Sequence, residues 1–109
     1  MQLAFHSPLL RTVCESERIA RDELGGPVAE VLKHRLADMA AATSVTDLVA
    51  GRPRVLGGTA RDEMAVDLCE GYVIAFAANH TKNPATGTGD LDWKRVSRIK
   101  ILRIERHHG

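Results

Sequence analysis

Six cations and two imidazoles crowd the last part of this chain. Lys94, Arg95, Arg98, Lys100, Arg103 and Arg106 are opposed there by the single acid Glu105, and His107-His108 follow. The chain as a whole nearly balances, with 15 Lys and Arg against 14 Asp and Glu, so everything before this segment is net acidic. Ile99, Ile101 and Ile104 interleave with the cations. A strand carrying three isoleucines buries at least one face, and its cations are then held in place rather than solvated on a tail. Fixed cations beside ionisable imidazoles suit binding of a phosphate backbone and movement of a proton next to it. The competing reading is structural: Lys and Arg on a strand also blunt a sheet edge against aggregation.

Alternation limits which of these side chains share a face. Arg98 and Lys100 lie together, with Arg106 beside them if the register holds. Arg103 falls with Ile99 and Ile101 unless a bulge intervenes. The alternation slips between Ile101 and Leu102, which signals either a bulge or burial of both faces. Arg54 and Arg61 flank a Gly57-Gly58 turn and are the other candidate cations, with Lys82 in a polar loop. The Gly57-Gly58 pair is no phosphate-binding loop, because the GxxxxGK[ST] pattern is missing. His6, His34 and His80 show no metal-ligand spacing, so no structural zinc is expected.

Those residues need a scaffold, and 109 residues with 44% hydrophobic and 27% charged content support one domain over 1–109. The few aromatics, Phe5, Phe76, Tyr72 and Trp93, disfavour a base-stacking sheet, and Tyr72 and Trp93 read as core. No apolar run approaches a membrane span and no signal-peptide layout is visible, so a cytoplasmic protein that does not engage a membrane is expected. Cys14 and Cys69 are far apart, which suits reduced, buried thiols.

Gln2 to His6 reads as a first strand. Ser7-Pro8 starts a helix that runs to Gly25-Gly26, with Ser as cap and Pro in the first turn. Pro27 opens a second helix on Val28, Val31, Leu32, Leu36 and Met39. Ser44 to Asp47 is a capping box. Beyond Pro53 the period becomes two. Arg54 to Leu56 is a short strand, and Met64, Val66 and Leu68 alternate with polar or small residues. Glu70-Gly71 turns a hairpin into the apolar strand Tyr72 to Ala77. A polar loop spans Asn79 to Asp92, and a last strand begins near Val96. The expected class is α+β: an N-terminal strand and a helical hairpin packed on one face of an antiparallel sheet of four to five strands.

Several motifs in this order resemble a known family. Val66-Asp67-Leu68-Cys69-Glu70-Gly71-Tyr72-Val73-Ile74-Ala75-Phe76 is similar to one hairpin of the plasmid-maintenance killer proteins, HigB-like toxins of the RelE/ParE superfamily. Val13-Cys14-Glu15-Ser16-Glu17, Leu91-Asp92-Trp93 and the ending from Ile104 to His108 look like that family too. The resemblance covers the whole chain. It implies a RelE-like fold and the toxin of a type II toxin–antitoxin system. Such a toxin is an endoribonuclease (mRNA interferase) that cuts messenger RNA on the ribosome by metal-free attack of the ribose 2′-hydroxyl, with no cofactor. It also implies a small helix-turn-helix antitoxin as partner, in a hetero-oligomer or alongside a toxin homodimer.

Carried onto this chain, the resemblance makes His108 a catalytic residue, with His107 standing where the family has Tyr. Arg54 stands where the family often has His. Gly57 takes the place of a family Lys, whose charge Arg61 then supplies, and Val73 replaces a family Arg. The RNA-binding set is Arg98, Lys100, Arg103, Arg106 and Lys82. Two other readings follow from these departures: a RelE-fold module that binds an antitoxin without cutting RNA, and a gyrase poison like those of the ParE branch.

Overall fold

In a computed structural model that describes residues 1–57 and 62–107, the chain forms three helices and five strands. They run β1 (Gln2–Phe5), α1 (Pro8–Glu15), α2 (Glu17–Leu24), α3 (Gly26–Ala41), β2 (Arg54–Val55), β3 (Glu63–Asp67), β4 (Tyr72–Ala78) and β5 (Arg98–Arg106). Single 3-10 turns lie at Val45–Asp47 and Trp93–Arg95.

The local signals act as their chemistry requires. Ser7 accepts from the Leu10 amide at 3.1 Å, and Pro8 occupies the first turn of α1. The capping box closes with Asp47 Oδ2 accepting from the Ser44 amide at 3.2 Å. The turn between β3 and β4 has φ of +54° at Glu70 and +81° at Gly71, with the Tyr72 amide bonded to the Cys69 carbonyl at 3.0 Å. Two left-handed residues make the tight hairpin whose twist matches its strands.

One helix expected from Ser7 to Gly25 is in fact two. Ser16 is extended (φ −118°, ψ 114°), and its side chain accepts from the Ile19 amide at 3.2 Å. It ends α1 through its own amide and begins α2 through its hydroxyl. A serine that can cap breaks a helix without help from Gly or Pro. Gly25 (φ +88°) and Pro27 then separate α2 from α3.

The sheet order is β1-β5-β4-β3-β2. β2 through β5 are antiparallel neighbours, but β1 runs parallel to β5, so the sheet is mixed rather than antiparallel as expected. Leu3 lies opposite Ile99 and Phe5 opposite Ile101. That register brings two apolar pairs onto the same core.

All three helices lie against one face of the sheet. The core joins Val28, Leu32 and Met39 of α3 to Val66, Ile74, Phe76, Ile99 and Ile101 of the sheet. The last four of these are fully or almost fully buried, as is Leu32. No helix is long and apolar enough to cross a membrane among the described residues. The opposite face carries Ala65, Val73 and Ala75, which are buried yet outside that core. The rungs of the ladder set Arg54, Asp67, Arg103 and Glu105 beside them. The stems of long charged side chains account for the burial of small residues on a face no helix covers.

Gly51 precedes β2 with φ +83°, and its carbonyl accepts from the Asp67 amide at 2.6 Å. A Cβ there would stand 2.6 Å from Val66 Cγ1 and 2.7 Å from the Asp67 carbonyl oxygen. Gly89, also at positive φ, has nothing within 4 Å. Gly51→Ala is therefore expected to cost at least about 3 kcal/mol, against about 1 kcal/mol for Gly89→Ala, which meets only the left-handed penalty. Urea unfolding of both variants checks this, and equal losses would contradict it.

Candidate functional site

The site is set by the last turn of β5 and the hairpin beside it. Across β4 and β5, Ala75 pairs with Arg103 and Phe76 pairs with Ile101, so Leu102 is an extra residue in β5. The slip in alternation is thus a bulge. It places Arg103 and Glu105 on the uncovered face with Lys100, and turns Ile104 toward Ile74 and the core. It also moves Arg106 off that face: Arg106 pairs with Tyr72, and its guanidinium lies 5.7 Å from the Tyr72 ring centroid. The expectation that Arg106 lies with Arg98 and Lys100 is corrected by this one residue.

A cleft of about 410 Å³ opens at the hairpin end of the sheet, lined by Arg52, Arg54, Asp67, Leu68, Gly71, Tyr72, Val73 and His107. Arg54 and His107, which the sequence suggested separately, thus line one cavity. His107 is anchored through its backbone, its amide donating to the Gly71 carbonyl at 2.8 Å. The approach favours a glycine, because φ is +81° and a Cβ at position 71 would meet the His107 carbonyl oxygen at 3.0 Å.

The imidazole is exposed, with Nε2 3.1 Å from Glu105 Oε1. The hydrogen bond from His107, opposed by some desolvation and aided by Arg103, holds the Glu105 carboxyl below its ordinary range. An ionised carboxylate only accepts, so Nε2 carries a proton toward Glu105; in the neutral tautomer that this contact favours, the lone pair lies at Nδ1. Arg103 bridges the same carboxylate at 3.2 Å to Glu63 at 2.8 Å. The Glu63 contact is an ion pair by distance, since that buried oxygen has no aligned hydrogen bond.

On the other wall, Asp67 Oδ2 lies 2.6 Å from Arg52 Nε, and Oδ1 lies 3.0 Å from Arg54 Nη1. Burial pushes the Asp67 carboxyl up, but the hydrogen bonds from Arg52 and Arg54 outweigh it and the group sits below its usual value. Each guanidinium has five donors, so one shared carboxylate leaves most of them available to a ligand.

The remaining candidates disperse. Arg98 and Lys100 lie on the uncovered face but at its far end; the Val73 and Ala77 rungs are four residue steps apart along β4, a span of about 13 Å. Arg103 is held in the Glu63–Glu105 ion pairs. Lys82 is exposed in the loop after β4. Arg61 and His108 lie outside the described residues. His80 plays a structural part, its Nε2 accepting from the Ser97 amide at 3.1 Å. Tyr72 and Trp93 pack against the core. Cys14 and Cys69 are free thiols, and burial, with Glu15 nearby, pushes Cys14 up to about 11. Among the described residues no group of three His, Cys, Asp or Glu could hold a metal ion.

Reading the sequence missed Arg52, Asp67 and Glu105. Asp67 and Glu105 had a usable signal, since each alternates with core residues and so faces the cations across the rungs. Arg52 had none. The chain matches no protein-family model, no curated protein and no solved structure at a significant level.

A lowered carboxyl stabilises the fold above its unfolded pKa, and that contribution is lost as pH falls through the folded value. Glu105→Gln should therefore be less stable than the parent at pH 7 and converge with it as pH falls through the carboxyl's folded titration range, as read by urea midpoints. A gap that stays constant with pH would show that the Glu105 charge contributes nothing.

Proposed function

We infer that the chain is a toxin of a type II toxin–antitoxin system with a RelE-like fold, and that it cuts messenger RNA on the ribosome. The observation that carries this reading is the shared cleft: Arg54 and His107, 53 positions apart in sequence, line one cavity at the open end of a cation-bearing sheet face. A sheet with helices on a single face, and a hairpin beside the terminal strand, is consistent with it.

In this reading the Nδ1 lone pair of His107 takes the proton from a ribose 2′-hydroxyl. The oxygen attacks the adjacent phosphorus, a 2′,3′-cyclic phosphate forms, and the 5′-oxygen leaves after protonation. Arg54 stands against the charge that develops on the phosphoryl oxygens. Glu105 holds the ring in the tautomer the step needs. The second proton carrier falls to His108 and a further cation to Arg61, by the resemblance alone. Arg98, Lys100 and Lys82 hold RNA or ribosome beyond the cleft. No metal or cofactor takes part in this scheme. The partner is a helix-turn-helix antitoxin that covers the basic face, and the protein works in the cytoplasm where ribosomes are.

Expression in a bacterial host should arrest growth and cut ribosome-bound transcripts. A missing general acid or base costs about a hundredfold or more, so His107→Ala should lower cleavage by at least that factor, and Arg54→Ala should also lower it. Arrest with undiminished cleavage by both variants would remove the assignment. No cleavage by the parent, with tight antitoxin binding, would leave a binding module; a DNA-damage response in place of translation arrest would point to gyrase.

A further inference from the structure

We propose that Arg52 is a phosphodiester-binding residue, paired with Arg54 in a two-arginine clamp that is aimed by a strained backbone. The proposal builds on the RNA reading of the cleft and concerns binding only, not cleavage.

Arg52 has φ +51°, the left-handed region that side chains with a Cβ seldom occupy. Its neighbour Gly51 is left-handed as well, so the bend before β2 is built from two such residues. Glycine is the least costly residue for such a position, and Asn and Asp tolerate it better than most. An arginine gives the bend no conformational advantage. What it adds is a guanidinium on the cleft wall: 78% of the side chain remains exposed while Nε donates to Asp67 at 2.6 Å. The carbonyl of Arg52 also accepts from Arg54 Nη1 at 3.1 Å, so the bend positions both guanidiniums.

Two guanidiniums would ordinarily repel one another. Here the Asp67 carboxylate spans them, with one oxygen on each. It keeps them adjacent and uses one donor of each; Arg54 spends another on the Arg52 carbonyl, and the remaining donors belong to two residues that line the cavity with His107. Planar forks of this kind match the oxygens of a phosphodiester. Strain that persists at a cleft, carried by the side chain that reaches into it, is the mark of a position kept for binding at the expense of stability.

Glu70 supplies the control. It is the other non-glycine residue of positive φ among the described residues, and it stands at the tip of the β3–β4 hairpin rather than among the residues lining the cleft. Glu70→Gly should keep or raise the melting temperature, because it relieves a left-handed side chain, and Arg52→Gly should change it little, because relief of the same strain offsets the lost pair with Asp67. Binding is read by fluorescence anisotropy with a labelled single-stranded oligonucleotide whose sugars are 2′-deoxy, so that no cleavage can occur. Arg52→Gly should weaken binding about tenfold at low salt and reduce the log–log salt slope by about 0.7, the value of one single-strand phosphate contact. Glu70→Gly should bind as tightly as the parent or slightly tighter. Arg18→Ala, an equal loss of charge on the helical layer, should change affinity by less than twofold. If Arg52→Gly binds with the parent's affinity and slope, the clamp is wrong. If Arg18→Ala weakens binding as much, net charge alone is at work and the clamp is equally wrong. A parent that binds the oligonucleotide but cuts no RNA leaves the clamp standing and overturns the nuclease reading instead.

Discussion

The whole arrangement depends on one extra residue in β5. Leu102 has no partner of its own across β4, and its presence reverses the facing of everything after it. Without the bulge, Arg103 and Glu105 would point into the helical core and Ile104 would point to solvent. Burial of unpartnered charge is far costlier than burial of isoleucine is favourable, so the register is strongly determined. With the bulge, Ile104 joins the core, Arg103 meets Glu63, and Glu105 stands beside His107. Bulges recur where a side chain must be re-aimed at the rim of a sheet. This one aims a carboxylate at an imidazole.

The uncovered face then has an unusual economy. Small residues, Ala65, Val73 and Ala75, occupy its floor and are buried without a helix above them. Their flanks are charged residues of alternating sign, linked as Arg52–Asp67–Arg54 on one side and Glu63–Arg103–Glu105–His107 on the other. Individually such half-exposed ion pairs contribute little to stability. Their collective effect is geometric: Asp67, Arg103 and Glu105 each bridge two partners, which ties Arg52, Arg54 and His107 into the rim of the cavity. A ligand that meets side chains already ordered avoids the entropy of ordering them.

Much of this was legible in the sequence because the signals were local. Ser7-Pro8, the Ser44–Asp47 box, the Glu70-Gly71 turn and the slip at Leu102 each act within a few residues, and each does what its chemistry requires. The two errors of fold have different physical origins. Ser16 ends one helix with its backbone amide and starts the next with its hydroxyl, a dual role that composition does not flag. The parallel pairing of β1 with β5 is decided by Leu3 and Phe5 meeting Ile99 and Ile101, a match nearly a hundred residues apart. The site shows the same divide. His107 and Arg54 were visible as residue types. The partners that orient them, Glu105 and Asp67, act across rungs of the ladder, and the role of Arg52 depends on a backbone angle.

The proposed chemistry requires a phosphate backbone to enter the hairpin-end cleft. The most direct measurement is the amide spectrum of the isotopically labelled protein during titration with a non-cleavable single-stranded oligonucleotide. The largest shifts should cluster at Arg52, Arg54, Gly71 and His107, with smaller ones along Lys100 and Arg98. Shifts confined to α1, α2 and α3, with the cleft silent, would contradict it.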